Sequence, residues 1–379
     1  MGVRNQEGMK LMMKRHKLLP PVIGVMMAGA LLAGCGSPQS NASREVIDKP
    51  GKQITVIDTA AEGRKNTGEI QVEQIEKLKD VYGRTWLSDH EAIVERNHVL
   101  MIHDFASNIE RKLTENPATT GQYLAAASPD GEHVFFTGGN PKDKYDIGGY
   151  LLDAASGTVT KTGAFSMLSD MFWADPQHIL VSTDDSKLQL IDLQGKRTPV
   201  QFSDPELSDN VPRMASKAGD RYYYLGVHEG YTVLKSFTAS APEAKTIQEG
   251  VVTFSLSPDG SAIALEKREW NTTKDAELQL IDANGKKLGT VAKGTLLGRP
   301  SWSPDGSKIA FSVYTEGEQG MKGMYVFDKA SGKTTPLSTE IQAYDSPAVW
   351  SPDGKSLMVY QTVYEGEKSN NVTYVVHLK

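Results

Sequence analysis

The chain has one cysteine in 379 residues, Cys35, so it cannot form an internal disulfide. Long hydrophobic runs are also scarce. Residues 18–33 form an apolar run of 16 residues, short of the roughly 20 that a spanning helix needs, and no second segment is long enough to cross a bilayer. Catalytic signatures are missing too: there is no Gly-x-Ser-x-Gly elbow, no His-Glu-x-x-His, no phosphate-binding Walker loop and no Cys-x-x-Cys. Basic residues are outnumbered, 41 against 47 acidic. Setting aside residues 1–34, which hold five basic residues and one acidic, leaves a net charge of −10. Such an acidic body argues against nucleic acid or an anionic lipid surface as a partner.

What is present is a repeated turn. Ser-Pro-Asp-Gly occurs four times: Ser128, Pro129, Asp130, Gly131; Ser257, Pro258, Asp259, Gly260; Ser303, Pro304, Asp305, Gly306; and Ser351, Pro352, Asp353, Gly354. Each copy precedes a short apolar run. Degenerate copies fit at Leu87, Ala174 and Ser216, giving seven positions separated by 41, 46, 42, 41, 46 and 48 residues. Four of the five tryptophans, Trp86, Trp173, Trp302 and Trp350, occupy the slot just before the serine position. A turn signal at a period of 40–50 residues marks a repeat architecture.

Within one repeat the elements can be read. Pro304 suits the turn position that needs φ near −65°, and Gly306 tolerates positive φ. Residues 309–314, Ile-Ala-Phe-Ser-Val-Tyr, are strand formers, followed by a polar loop and a second strand at 324–327. That strand ends in an Asp-Lys-Ala-Ser-Gly turn at 328–332, and similar turns recur after Ile281, Ile191 and Leu152. A short outer strand and the strand before the tryptophan bring the count to four, the make-up of a propeller blade. The prediction is an all-β propeller of seven four-stranded blades, or six if the Trp86 copy is not a blade. The four Ser-Pro-Asp-Gly aspartates read as turn-formers, not calcium ligands, because Asp caps its own turn amides.

The Ser-Pro-Asp-Gly turns, with Trp302, Trp350 and the Ile-Asp…Gly turns, resemble the TolB-type propeller repeat. That repeat is found in TolB and in the non-catalytic propellers of prolyl-oligopeptidase relatives. The resemblance covers residues 80–379 and implies a fold, not an activity. TolB has six blades and an N-terminal α/β domain, for which residues 50–80 are too few. The last repeat stops without an outer strand, so an N-terminal strand is expected to close the ring, with residues 53–58 as the candidate. Residues 69–82 have the apolar spacing of a short helix, with Val72, Ile75, Leu78 and Tyr82 on one side.

The N-terminus carries an address. Lys10, Lys14, Arg15 and Lys17 precede the apolar run, which ends at Leu32, Ala33, Gly34 and Cys35. This resembles the bacterial lipobox, which implies cleavage before Cys35 and lipid attachment to it. The expected organisation is a signal peptide over 1–34, a flexible tether over 35–50, and the propeller over 51–379, with 51–80 as closing strand and lead-in. The expected product is a lipid-anchored, extracytoplasmic, monomeric ring without cofactor. It would bind an envelope protein, or a peptide or glycan ligand.

Two alternatives follow from particular residues. His90, His98, His103, His133, His178 and His228 fall within residues 90–228, and oligogalacturonate lyases resemble the chain in blade number and turns. They bind a divalent metal through histidines, which makes a metal-dependent carbohydrate-active enzyme the alternative function; the metal-free reading places these histidines in turns and at the surface. Tyr222, Tyr223 and Tyr224 offer an aromatic platform or, alternatively, packing between blades. The loops 138–149, 267–276, 315–323 and 364–371 join second to third strands and make one rim the expected contact surface.

Overall fold

The computed structural model describes strands Arg44–Lys49 and Lys52–Ile57 and residues 70–379, apart from 115–120, 140–146, 165–170, 184–186, 208–211, 271, 273, 317–319 and 366–367. It is a seven-bladed β-propeller. Six blades run in sequence over 82–112, 121–164, 171–200, 213–249, 251–294 and 296–338. The seventh combines Val349–Trp350, Ser356–Glu365 and Lys368–Leu378 with Val72–Lys79, which pairs antiparallel with the last strand. The Trp86 copy is therefore a blade. In the sixth blade the first strand is split into Leu296–Leu297 and Ser301–Trp302, both paired with Lys308–Tyr314. The break falls at Pro300, which has no N–H to give the ladder.

An N-terminal strand closes the ring, but it is Val72–Lys79, where helical spacing suggested a helix. The reason is that this strand is buried on both faces. Ile75 packs with the sixth-blade residues Met324 and Val326, whereas Leu78 packs with Trp86 and Val94 of the first blade. Residues three apart point to opposite sides of a strand, so a blade wedged between two neighbours loses the period-two alternation. The candidate closing segment forms Lys52–Ile57, which pairs outside Val72–Lys79 and is paired in turn with Arg44–Lys49. Part of the expected tether is thus strand.

No single core fills the molecule. The buried apolar side chains form clusters at the seams, one or two for each pair of adjacent blades. The three-tyrosine run shows the division. Tyr222 and Tyr224 pack with Leu180 and Leu188 of the third blade, and Tyr223 packs with Ile263 and Leu265 of the fifth. Alternation places them as expected, and all three are buried as seam packing, not as an open platform.

The repeated turns behave identically in all four copies. The serine hydroxyl accepts from the amide five residues on, at 3.0 Å for Ser128, 2.9 Å for Ser257 and Ser303, and 2.8 Å for Ser351. The same hydroxyl donates to the turn aspartate, at 2.6 Å for Asp259 and Asp305 and 2.7 Å for Asp353. The aspartate in turn accepts the next amide but one. Gly131, Gly260, Gly306 and Gly354 have φ between +68° and +74°, which glycine adopts without strain.

Candidate functional site

Antiparallel order sorts the connections onto two rims. The turn between first and second strands and the turn between third and fourth share one rim. Hairpins between second and third strands, and crossovers from blade to blade, share the other. The Ser-Pro-Asp-Gly and Ile-Asp…Gly turns occupy the first rim, and their aspartates are spent on turn amides and hydroxyls. The hairpin rim has a different surface. Of nine exposed large apolar side chains among the described residues, seven lie at this rim or on the strand halves next to it: Val99, Leu124, Tyr231, Val252, Trp270, Leu296 and Tyr364. Ile109 and Leu288 lie on outer strands near the turn rim. Tyr364 is 75% exposed.

Four of the seven form a strip across the fourth, fifth and sixth blades. The fourth blade's hairpin turns at Glu229-Gly230, both at positive φ, and presents Tyr231. Gly250 donates its amide to the Thr232 carbonyl at 3.1 Å, and its own carbonyl accepts from the Arg268 amide at 2.8 Å. A Cβ at Gly250 would stand 2.6 Å from the Arg268 carbonyl oxygen, so only glycine lets these segments meet. The Arg268 guanidinium reaches the Thr295 carbonyl at 3.1 Å. Tyr231, Val252, Trp270 and Leu296 are each one or two residues from these junctions. The Tyr231 and Trp270 rings lie 6.4 Å apart at 34°.

The strip carries charges of both signs. Arg268 pairs with buried Glu266 at 3.2 Å, Lys274 with Glu269 at 2.7 Å, and Lys293 with Glu277 at 2.6 Å. Burial pushes the Glu266 carboxyl up, opposed by Arg268; Lys293 chiefly holds Glu277 down at about 2. Glu229, Glu249 and Asp275 are exposed and have no ion-pair partner among the described residues; Asp275 accepts the Thr295 hydroxyl at 3.1 Å.

A second charged group is buried and structural. The segment 202–207 crosses the fourth blade, where Phe202 stacks on Phe237 at 4.7 Å. Lys235, 2% exposed, donates to Asp204 at 2.8 Å and Glu206 at 2.7 Å, and the Tyr224 hydroxyl donates to Asp204 at 2.6 Å. Burial pushes the Tyr224 hydroxyl upward, with Asp204 adding to it, and Lys235 holds Glu206 down. A flank groove of about 620 Å³ beside this segment is lined by Phe202, Asp204 and Gln189, but its carboxylate is already committed.

The histidines do not converge. His103 pairs with Glu110 at 3.1 Å, His178 with Asp175 at 2.9 Å and His228 with Glu206 at 2.6 Å. His98 lies 3.5 Å from Glu95 and His133 lies 3.6 Å from Asp153, while His90 sits in the first blade's turn. Among the described residues no three His, Cys, Asp or Glu side chains are grouped to hold an ion. The donor set of a metal-dependent lyase is thus not assembled from them. Cys35, Leu32, Ala33 and Gly34 lie outside the described residues, as do parts of the four expected contact loops. Tyr231 and the pairing of Trp270 with it escaped the sequence reading. The available signal was that the fifth tryptophan stands outside the repeat slot, in a loop.

No known family model matches the chain. A stretch of 115 residues is 33% identical to the "Uncharacterized peptidase YuxL" of Bacillus subtilis, covering 29% of this chain and 17% of that protein. Another of 82 residues is 34% identical to the Tol-Pal system protein TolB of Alcanivorax borkumensis, covering 21% of this chain and 18% of that protein. The chain therefore spans less than a fifth of the length of either relative. Among solved structures, an oligogalacturonate lyase in complex with manganese superposes with a TM-score of 0.59 at 11% identity, covering 82% of this chain and 96% of that one. Likeness at that identity is likeness of fold. The molecule is a seven-bladed β-propeller, one stretch of which is similar in sequence to TolB.

Proposed function

We propose that this chain is a lipid-anchored, extracytoplasmic propeller that binds a protein partner in the bacterial envelope through its hairpin rim. The observation that carries the reading is the segregation of exposed apolar side chains, seven of nine among the described residues, to that rim and the strand halves beside it. Exposed apolar surface gathered on one side of a rigid scaffold marks an interaction face. The address rests on the basic run, the apolar run and Leu-Ala-Gly-Cys at 32–35. The match to a Tol-Pal system protein supports an envelope role. Photo-cross-linking in intact envelopes tests the face: a photoreactive residue at Leu296 or Tyr364 captures a protein, and one at Ile109 does not. Equal capture from both rims sinks the reading. Palmitate labelling of the chain, abolished by Cys35→Ser, tests the anchor; labelling that survives the substitution sinks it.

A further inference from the structure

We infer that the ring stands over the membrane with its turn rim towards the lipid and its hairpin rim turned away, so that a partner reaches the hairpin rim from the aqueous side. The inference rests on the lipid-anchor reading of Cys35 and adds the direction in which the anchored ring faces.

The direction follows from strand order in the seventh blade. Ser356–Glu365 runs from the turn rim to the hairpin rim and Lys368–Leu378 runs back, so Leu378 ends at the turn rim. Val72 pairs with Leu378, and the Gln71 carbonyl accepts the Lys379 amide at 3.0 Å, so Val72–Lys79 begins at the turn rim. Outside it, Gln53 pairs with Lys77 and Thr55 with Ile75, which brings the end of Lys52–Ile57 back to the turn rim. Arg44 pairs with Ile57. The chain therefore enters the outermost strand at the turn-rim edge of the seventh blade.

Length then decides which rim the anchor favours. Cys35 lies nine residues before Arg44. Nine residues span at most about 30 Å in any conformation. Tyr364, 75% exposed at the hairpin rim of the same blade, pairs with Ser369, nine residues from Leu378. At about 3.3 Å per residue, that is roughly 30 Å of blade height. A bilayer at the hairpin rim is met only by a tether drawn straight along the whole flank, at the cost of its conformational entropy. A bilayer at the turn rim is met by many shorter paths. The competing arrangement would seat Tyr364 and Trp270 among the lipid headgroups, where amphipathic rings are at home.

The test uses the full chain, made in a lipidating bacterial host, purified from its membranes and added to preformed phosphatidylcholine vesicles that carry a rhodamine-labelled lipid. Mass spectrometry of the peptide bearing Cys35 reads its acylation. With that thiol acylated, one fluorescein is placed at a time, by Ala330→Cys or by Tyr364→Cys. Ala330 is exposed in the sixth blade's Asp328–Gly332 turn, and Tyr364 stands at the opposite rim. Energy transfer to the lipid is expected to be roughly twofold faster, or more, from Ala330→Cys, for rims about 30 Å apart. Inserting about thirty glycine and serine residues after Ser40 should shrink that difference, because a longer tether lets the ring turn. Equal transfer from the two positions overturns the inference. Faster transfer from Tyr364→Cys overturns it in favour of rings seated in the headgroups. A difference that survives the insertion overturns it too, because the tether is then not what orients the ring. In these three outcomes an acylated Cys35 leaves the anchor reading standing; a Cys35 without acyl groups overturns both.

Discussion

The indole N–H of Trp86 donates to the Val349 carbonyl at 2.9 Å, tying the first blade to the seventh across 263 positions of chain. The other three slot tryptophans make the same bond one blade back: Trp173 to Ala126 at 3.0 Å, Trp302 to Ser255 at 3.0 Å and Trp350 to Ser301 at 3.1 Å. Every acceptor stands two residues before the serine position of the preceding repeat. The tryptophan period seen in the sequence is therefore a contact rule between blades, and Trp86 applies it where the ring closes.

Trp86→Phe keeps a ring in the seam and removes only the donor, leaving the Val349 carbonyl without that partner. The expected cost is about 1–3 kcal/mol, the range for a buried group deprived of its bond. Trp302→Phe should cost a similar amount. Guanidinium unfolding monitored by circular dichroism measures both. A loss of stability that vanishes at Trp86 alone would show that the closing seam does not depend on this bond.

The sequence was most legible where one residue type answers one geometric demand. Gly306 meets a positive φ, Ser303 and Asp305 satisfy amides of their own turn, and Trp302 needs one neighbour a period away. Such local demands recur in every blade and so show as a pattern. The Val72–Lys79 strand was misread because its environment comes from two distant blades, which erase the alternation that marks a strand. The Tyr231–Trp270 pair was illegible for a related reason. Its partners come from different repeats, and single residues on loops carry no period.

A second lock at the closing seam is Thr373. Its hydroxyl accepts the Gly83 amide at 2.8 Å and donates to the Val81 carbonyl at 2.7 Å, fully buried. Gly83 is fitted to the same spot, since a Cβ there would come within 2.6 Å of the Met358 sulfur. Thr373→Val preserves shape and removes both bonds. It should cost about 2–4 kcal/mol, as two buried backbone groups are left unpaired. Thr362→Val, on an exposed hydroxyl bonded to Asn371, should cost far less, and the pair is compared by urea unfolding.

Acid should weaken the turns. The serine hydroxyls of Ser257 and Ser303 chiefly hold the Asp259 and Asp305 carboxyls down at about 2. Carboxylates depressed in the folded state stabilise it above the unfolded value near pH 4, and that contribution is lost as pH falls towards 2. Both groups are largely exposed, so the effect of each is modest. Unfolding midpoints measured from pH 6 to pH 2 should fall over the last two units. Asp259→Asn with Asp305→Asn should flatten that fall. An unchanged slope would show that these turns do not govern acid stability.

Lys235 holds the segment 202–207 against the fourth blade, and removing it strands Asp204, whose side chain is 1% exposed, without its cation. Lys235→Met should cost about 3–5 kcal/mol, the range for breaking a buried pair from one side. Lys235→Met combined with Asp204→Leu should recover much of that loss, because no lone buried charge remains at Asp204. A double-mutant cycle by denaturant unfolding checks the recovery. If the double variant is as unstable as the sum of the singles, Phe202 and Phe237 alone do not keep the segment in place.

The alternative function turns on metal content. A divalent ion in a protein site needs about three or more side chains aimed at one point, with donors roughly 2.0–2.6 Å from it. Here His103, His178 and His228 stand on three different blades and each faces a different carboxylate. An imidazole bonded at Nδ1 to a carboxylate still offers Nε2, so pairing alone does not disqualify a ligand; among the described residues no third donor is grouped with any of these pairs. Elemental analysis of the purified chain should find less than a tenth of an equivalent of manganese, calcium or zinc, unchanged after incubation with each metal and desalting. Near-stoichiometric metal would mean that side chains from several blades converge on the channel after all, and polysaccharide cleavage would become the activity to assay.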